Sequence, residues 1–470
     1  MTVGSPEGLA SFRRLYHPPT QANSFSLDGF PALRNGKDWT LRLREFIAEK
    51  GVLGMTTNQT LFRQLLETGA LDRRMRSFKA EGRAPEEIYR ILYNEAATEA
   101  ARLFRAVHAQ WPWEGRVSQE ASALLTELEP LVRDVQRIAG AMTGVGAFTK
   151  IPNLRIGPQA IQRAVAGGQV HPNVTLVFSD RHYLDTVEGY LEGLSELADR
   201  LRAQGTSQEV VRKHLDSIHS VNSLFVSRVD RVVDPMIEEA LRTNSAQDDR
   251  KWLELLKGKT AVAQGKKVYQ MFEAIFLGTE FPDPEGLYAG GEGPSMIRRI
   301  GALHTRFGGL KRLGAHPQRL LIASSGVKSD QPYSPLLYVL PFLGPWCANT
   351  LPETTLEKFA EFVGQLSEAE AAALRTRKVI GEPLPALPTD VQPTRRWDQA
   401  VLMTSELRRR EGIGELTADQ VLEAVHRLVL EPKGTDLRQV CDSLRDKGAE
   451  AFTADERATL QAIQTKLQTL

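Results

Sequence analysis

Apolar residues in this chain follow two alternating periods. Short runs rich in β-branched and apolar residues recur between longer stretches whose apolar positions return every three or four residues, the signature of βα units on a parallel sheet. The short runs that qualify as strands are Ser24–Asp28, Val52–Thr57, Arg116–Glu120, Gly146–Ile151, Val174–Ser179, Val221–Val229, Arg319–Ser325 and Trp346–Thr350. Eight such strands point to a closed barrel rather than an open sheet. Helical spacing marks Trp39–Lys50, Pro85–Ala109, Ser118–Ala139, Gly157–Ala166, His182–Ala203 and Lys259–Phe276. The third strand and the third helix overlap, so the pattern leaves their shared residues undecided. The expected fold class is α/β, a (β/α)8 TIM barrel with additional helices and a C-terminal helical extension.

Glycine and proline divide the chain further. The stretch from Pro282 to Pro294 reads as a surface loop, and its glycines lack the strand-turn-helix spacing of a dinucleotide fingerprint. A proline-rich run from Gly381 to Thr394 reads as a connector, with helical patterns beyond it to Leu470. The expected organisation is a catalytic barrel over 1–380 and a linker with helical extension over 381–470, packed on the barrel, with a separate small domain as the alternative.

Composition narrows the class without choosing it. A length of 470 residues at 41% hydrophobic content can bury a large core, as several domains or as one barrel with insertions. Lys and Arg number 59 against 58 Asp and Glu, and the net charge of +1 supplies no global field for nucleic acid or an anionic membrane. Neither is expected as a partner. Cys347 and Cys441 have neither zinc spacing nor the density of a disulfide scaffold, which suits a reducing cytosol. No run of about 18 apolar residues and no apolar signal core occurs, so a soluble cytoplasmic protein is expected.

Candidate chemistry gathers where barrel strands end, because side chains there converge on one face. Polar residues at those ends are Asp28, Thr57, Asn58, Glu120, Lys150, Asn173, Thr175, Ser223, Arg228, Ser324, Lys328 and Asn349. Lys150 stands out. It lies in the apolar run Gly146-Ala-Phe-Thr-Lys150-Ile-Pro152, where a low dielectric disfavours the ammonium form, as a Schiff-base lysine requires. Glu120 and Asp28 would supply proton transfers for carbonyl chemistry. Duller readings stand beside these: a structural ion pair between Lys150 and Glu120, and a helix or turn cap for Asp28. Arg228, in Phe225-Val-Ser-Arg228-Val-Asp230, suits a phosphate, or a salt bridge to Asp230 or Asp234. Histidines show no metal spacing, so no metal is expected.

Several blocks together resemble transaldolase over roughly positions 24 to 356, with a weaker likeness near Asp436–Ile463. They are Gly54-Met-Thr-Thr-Asn58-Gln-Thr-Leu-Phe62, Val117-Ser-Gln-Glu120, Thr149-Lys150-Ile-Pro152, Asn173-Val-Thr175-Leu-Val-Phe-Ser179, Ser223 to Asp230, Gly258 to Lys266, and Tyr338 to Pro352. The resemblance implies a class I aldolase-type transferase of the pentose phosphate pathway. It would move a dihydroxyacetone unit from sedoheptulose 7-phosphate or fructose 6-phosphate to an aldose phosphate through a lysine Schiff base. By the same resemblance Lys150 is the Schiff-base lysine, Glu120 the acid/base acting through a water, and Asp28 the group that breaks and makes the C–C bond. Asn58, Asn173, Thr175 and Ser223 match the polar groups around the bound dihydroxyacetone, and Arg228, Ser324 and Lys328 match phosphate contacts. No cofactor is implied, and a monomer or homodimer acting on sugar phosphates is expected.

The chain departs from the family at Ser26, where tryptophan is usual, at Gln59 in place of proline, and at Asn153-Leu154 in place of Ala-Thr. Two other readings remain. A fructose-6-phosphate aldolase is similar in fold and lysine but carries tyrosine and glutamine where this chain has Phe225 and Glu120. A catalytically silent sugar-phosphate scaffold would have no reason to keep a costly strand lysine.

Overall fold

The computed structural model describes residues 12–32, 38–281, 293–387 and 395–470. Its organising element is a closed barrel of eight parallel strands in sequence order: β1 (Ser24–Asp28), β2 (Gly54–Thr56), β3 (Arg116–Glu120), β4 (Ala147–Pro152), β5 (Pro172–Val177), β6 (Ser220–Phe225), β7 (Gln318–Ala323) and β8 (Cys347–Leu351). β1 closes on β8, with Phe25 opposite Asn349. Every residue of β3, β5, β6, β7 and β8 is buried. Strands enclosed by helices outside and side chains inside cannot show polar–apolar alternation, and therefore read as unbroken short runs.

All eight predicted strands exist, and two boundaries are corrected. β6 ends at Phe225, and a helix begins at Ser227 and runs to Thr243. The run Val226, Val229, Val233 and Ile237 had the apolar content of a strand but the spacing of a buried helix face, and all four are buried. The predicted helix Ser118–Ala139 is also shorter: β3 holds its residues to Glu120, and the helix covers Leu128–Ala141. Ser122 in the intervening segment gives its N–H to Asp134 at 2.9 Å, an anchorage that helical pairing would forbid.

Register sets the site. Glu120 pairs with Lys150, and Lys150 with Asn173, so three polar residues stand side by side on β3, β4 and β5. Asp28 pairs with Thr56 and Thr56 with Ser118 on β1, β2 and β3. In-register residues of adjacent strands project to the same face.

Away from this row the barrel interior is closed by a buried ion pair, Arg319 with Glu114 at 2.9 Å, which also takes hydrogen bonds from Ser24 (2.9 Å) and Tyr16 (3.3 Å). Arg116 donates to Pro112 O (3.1 and 2.8 Å) and lies over the Phe148 ring. These buried charges are hydrogen-bonded, the condition for tolerating them.

Lysines near helix Thr260–Phe272 stitch later parts of the chain to the barrel. Lys266, fully buried, donates to the carbonyls of Val379 (2.6 Å), Ile380 (3.1 Å) and Pro341 (3.3 Å). Lys259 reaches Leu387 O at 3.1 Å, and Lys267 pairs with Asp419 at 2.9 Å. The predicted connector is ordered as far as it is described. Its residues Leu384–Pro385 pair antiparallel with Glu415–Leu416, a ribbon that the helical pattern did not announce, while 388–394 lie outside the described residues. The predicted loop is likewise outside over 282–292. Helices Arg395–Leu402, Ser405–Arg410 and Ala418–Val425 follow, and a final helix, Leu437–Thr469, crosses the strand ends. Among the described residues no helix is long and apolar enough to cross a membrane.

Candidate active site

Lys150 is buried within β4 with 5% of its surface exposed. Its Nζ donates to the carbonyl of Thr57 at 3.2 Å and stands 3.8 Å from Glu120 Oε2. At that distance the two form the ion pair that the sequence allowed, without a hydrogen bond between them. Neither carboxylate oxygen of Glu120 has a hydrogen-bond partner among the described residues. Burial pushes the Glu120 carboxyl up to about 7; the Lys150 ammonium opposes this, the carboxylates of Glu456 and Asp28 reinforce it, and Arg228 opposes it more weakly. A carboxyl poised there gives and takes a proton near neutrality.

Polar groups line the rest of the row. Asn173 is held from both sides: its Nδ2 donates to Ser118 Oγ (2.9 Å) and its Oδ1 accepts from Ser223 Oγ (2.6 Å). Thr175 Oγ1, on the same inward face as Lys150 and Asn173, is buried and without a partner among the described residues. Such a group is costly to leave bare, and in a barrel mouth it marks a position a polar ligand would satisfy. Both amide atoms of Asn349 are likewise unpartnered among the described residues, but Asn349 is in register with Phe25, whose ring packs on Phe359 of the outer layer, so it faces away from the barrel interior. Asp28, at the end of β1, accepts the Thr56 hydroxyl at 2.7 Å, and Thr56 Oγ1 lies 2.7 Å from Thr350 Oγ1. This partner belongs to the neighbouring strand, so Asp28 is not a cap. Asn58 is one: its Oδ1 accepts the Leu61 N–H at 2.9 Å at the start of helix Gln59–Glu67, and its amide nitrogen has no partner among the described residues.

Arg228 sits in the first turn of helix Ser227–Thr243 rather than on a strand. Its guanidinium lies 5.2 Å from the Phe225 ring centroid and has no ion pair among the described residues. The acidic neighbours proposed as its partners are engaged elsewhere: Asp230 accepts from Tyr338 OH (2.9 Å) and Ala261 N–H (2.8 Å), and Asp234 from Tyr333 OH (2.7 Å) and Gly258 N–H (3.0 Å). An unpaired guanidinium at a helix N-terminus is matched to an anion by both charge and dipole. Ser324, in the left-handed region at φ 54°, places its Oγ 3.1 Å from Ser227 Oγ, beside the same helix start. Lys328 falls in an exposed turn closed by Gln331, and no hydrogen bond ties it to the other candidates.

Two groups at the site were not among the sequence candidates. Tyr93, from helix Pro85–Leu103, has its hydroxyl 2.8 Å from Thr57 Oγ1 and 3.5 Å from the Glu120 N–H. Glu456, from the final helix, accepts from Ser122 Oγ at 2.7 Å and Ala123 N–H at 2.6 Å, immediately after β3. A tyrosine in an amphipathic helix reads as core, and a glutamate 334 residues beyond its serine partner carries no local signal. Among the described residues no group of three or more His, Cys, Asp or Glu is placed to hold a metal ion.

A buried amine beside a proton-exchanging carboxyl, at the strand ends of a closed parallel barrel, places the protein in the class of barrels equipped for carbonyl chemistry. The family description Transaldolase/Fructose-6-phosphate aldolase matches residues 40–384, and the chain belongs to this family. It is similar to transaldolase 1 of Streptomyces avermitilis, 32% identical over 322 residues, covering 68% of this chain and 73% of that protein. Transaldolase 2 of Streptomyces coelicolor is 32% identical over 317 residues, 67% of this chain and 73% of that protein. The transaldolase of Trichodesmium erythraeum is 28% identical over 341 residues, 72% and 80% respectively.

Proposed function

We propose that the protein is a transaldolase that carries a dihydroxyacetone unit on Lys150 from a ketose phosphate, such as sedoheptulose 7-phosphate or fructose 6-phosphate, to an aldose phosphate. The observation that carries this reading is Lys150 Nζ standing 3.8 Å from a Glu120 carboxyl that has no hydrogen-bond partner among the described residues. The amine adds to the C2 carbonyl to form a carbinolamine. Glu120, through a water, protonates the departing hydroxyl, and water leaves to give the iminium. Asp28 takes the proton of the C4 hydroxyl, the C3–C4 bond breaks, and its electron pair moves into the iminium. A free aldose phosphate departs and an enamine remains on Lys150. The acceptor aldehyde adds to the enamine, Asp28 returns the proton to the new alkoxide, and hydrolysis releases the product ketose and the amine. The iminium is itself the electron sink, so the reaction as written calls for no metal or organic cofactor.

The surrounding residues suit these steps. Asn173, tied to Ser118 and Ser223, and unpartnered Thr175 offer hydrogen bonds to a polyhydroxylated substrate, while Arg228 suits its phosphate. Transfer rather than cleavage requires the enamine to outlast the first aldehyde, which a buried, hydrogen-bonded site favours. Phe225 at the end of β6 is buried against Phe178, with ring centroids 5.3 Å apart, and brings no phenolic hydroxyl to the site. With Glu120 in place of glutamine, this favours transfer over the aldolase reading. A cytoplasmic enzyme acting on free sugar phosphates fits this chemistry.

Borohydride reduction in the presence of fructose 6-phosphate tests the proposal. A dihydroxyacetone-derived adduct on Lys150, absent from Lys150→Ala, is expected; intact sugar-phosphate binding without an adduct would overturn it in favour of a silent scaffold. Glyceraldehyde 3-phosphate should also be released from fructose 6-phosphate far faster with erythrose 4-phosphate than without an acceptor.

A further inference from the structure

We propose that Glu456, on the final helix, is a positioning residue for Glu120: it clamps the segment that follows β3 and holds a second carboxylate behind the first. The inference rests on the reading of Glu120 as the acid/base of the site. Its geometric basis is a grip on a single residue, Ala123, through both its backbone N–H and its carbonyl. Glu456 takes the Ala123 N–H at 2.6 Å, Thr453 Oγ1 donates to the Ala123 carbonyl at 3.0 Å, and Glu456 also accepts the Ser122 hydroxyl at 2.7 Å. Ala121, next after Glu120, gives its N–H to Lys150 O at 3.1 Å, so the segment is fixed to β4 at one end and to the helix at the other.

The same helix ties down neighbouring strand ends. Thr459 Oγ1 donates to Gln59 O at 3.3 Å, Asp455 accepts the Thr60 hydroxyl, and Asp455 lies 3.6 Å from Arg63. Further back, Gly448 meets the barrel so closely that a Cβ there would stand 2.8 Å from Leu176 and 3.4 Å from the Arg228 guanidinium. One rigid element therefore spans the ends of β2, β3 and β5 and the phosphate-matched arginine. Glu456 is the part of it that bears on the proton-carrying carboxyl.

A cavity of about 370 Å³ lies between this helix and helices Pro85–Leu103 and Leu128–Ala141, and both Glu120 and Glu456 line it. The charged or titratable groups facing Glu120 are Lys150, Glu456, Asp28 and Arg228, with the Tyr93 hydroxyl at its N–H. On the cavity wall Asp134 is paired with Arg137 at 2.8 Å, leaving Glu86, Tyr89, Arg90 and Arg133 as the remaining titratable groups. Lys150 favours the ionised carboxyl, whereas Glu456 favours the protonated one. Burial pushes the Glu456 carboxyl up, and the hydrogen bonds it accepts from Ser122 and Ala123 pull it back toward its ionised form. The helix thereby keeps Glu120 loaded with the proton that carbinolamine dehydration consumes.

Infrared difference titration, wild type minus Glu120→Gln, follows the protonated Glu120 carboxyl stretch without substrate. The wild-type midpoint is expected near 7. In Glu456→Gln it should fall by about one pH unit, and the alkaline limb of the transfer rate should move with it. Ser122→Ala, which loosens the clamp but keeps the charge, should leave the midpoint in place. Glu456→Met is a second neutral replacement of similar length should the glutamine variant not fold. An unchanged midpoint in a folded neutral variant would overturn the proposal, whereas failure of borohydride trapping would overturn the transaldolase reading and leave this titration standing.

Discussion

Replacing Glu120 by glutamine should slow the enzyme and stabilise the fold, and the second effect has a defined dependence on pH. The carboxyl is 2% exposed, neither oxygen finds a hydrogen bond among the described residues, and the Lys150 ammonium at 3.8 Å compensates its burial only in part. The folded state holds the proton to about pH 7, against an ordinary value of 4.5, a gap of about 2.5. At about 1.4 kcal/mol per pH unit this is roughly 3 kcal/mol. The sign follows from proton counting. Below about pH 4.5 both folded and unfolded chains are protonated there and the residue is neutral toward stability; between 4.5 and 7 the folded chain binds more protons, so stability falls as pH rises. Above that window the cost is constant. Glutamine has nothing to ionise, so the variant should match wild type near pH 4.5 and exceed it by about 3 kcal/mol above pH 8. Denaturant titrations at four pH values between 5 and 8.5 read this directly. Transfer by the variant should fall by about 10²- to 10⁴-fold. Stability curves of wild type and variant that run parallel with pH would refute the assignment of a buried, proton-holding carboxyl.

Two further outcomes follow from the same structure. Arg228→Ala should raise KM for a phosphorylated ketose by roughly 10- to 100-fold, the loss of charged hydrogen bonds worth about 1.5–3 kcal/mol, with kcat little changed; equal KM values for variant and wild type would remove the phosphate assignment. A stack of His171, His219 and His316, with centroid separations of 6.4 and 4.5 Å, makes the fold acid-sensitive. Burial, with Arg116 nearby, lowers His219 well below the ordinary histidine range and His171 to about 3. The unfolded chain binds these protons near pH 6.5, so stability is full above that value and is lost as pH falls. His219→Phe should recover about 2 kcal/mol at pH 5 relative to wild type, and an unchanged acid slope in its melting curves would refute that reading.

The proton balance at Glu120 shows why the site was only partly legible in the residues. Lys150, Glu120, Asn173 and Asp28 were recognisable as polar intrusions at the ends of apolar runs, because a strand covered on both faces tolerates few polar residues. Their partners were not. Whether Arg228 is free depends on Tyr333, Tyr338, Gly258 and Ala261 satisfying Asp230 and Asp234 instead. Burial does most to hold the proton on Glu120, and Glu456, which arrives from the other end of the chain, adds to it.

By itself the sequence determined the number, order and approximate bounds of the eight strands, and through them the barrel, because strand and helix periods are local properties of a few neighbouring residues. It misjudged elements where one apolar run satisfied two periods, as at Val226 to Val229. Only the tertiary structure decided the register that aligns Glu120, Lys150 and Asn173, the freedom of Arg228, and the clamp from the final helix. Each of those is a balance of burial against available partners, and partners are set by closure of the barrel rather than by adjacency along the chain.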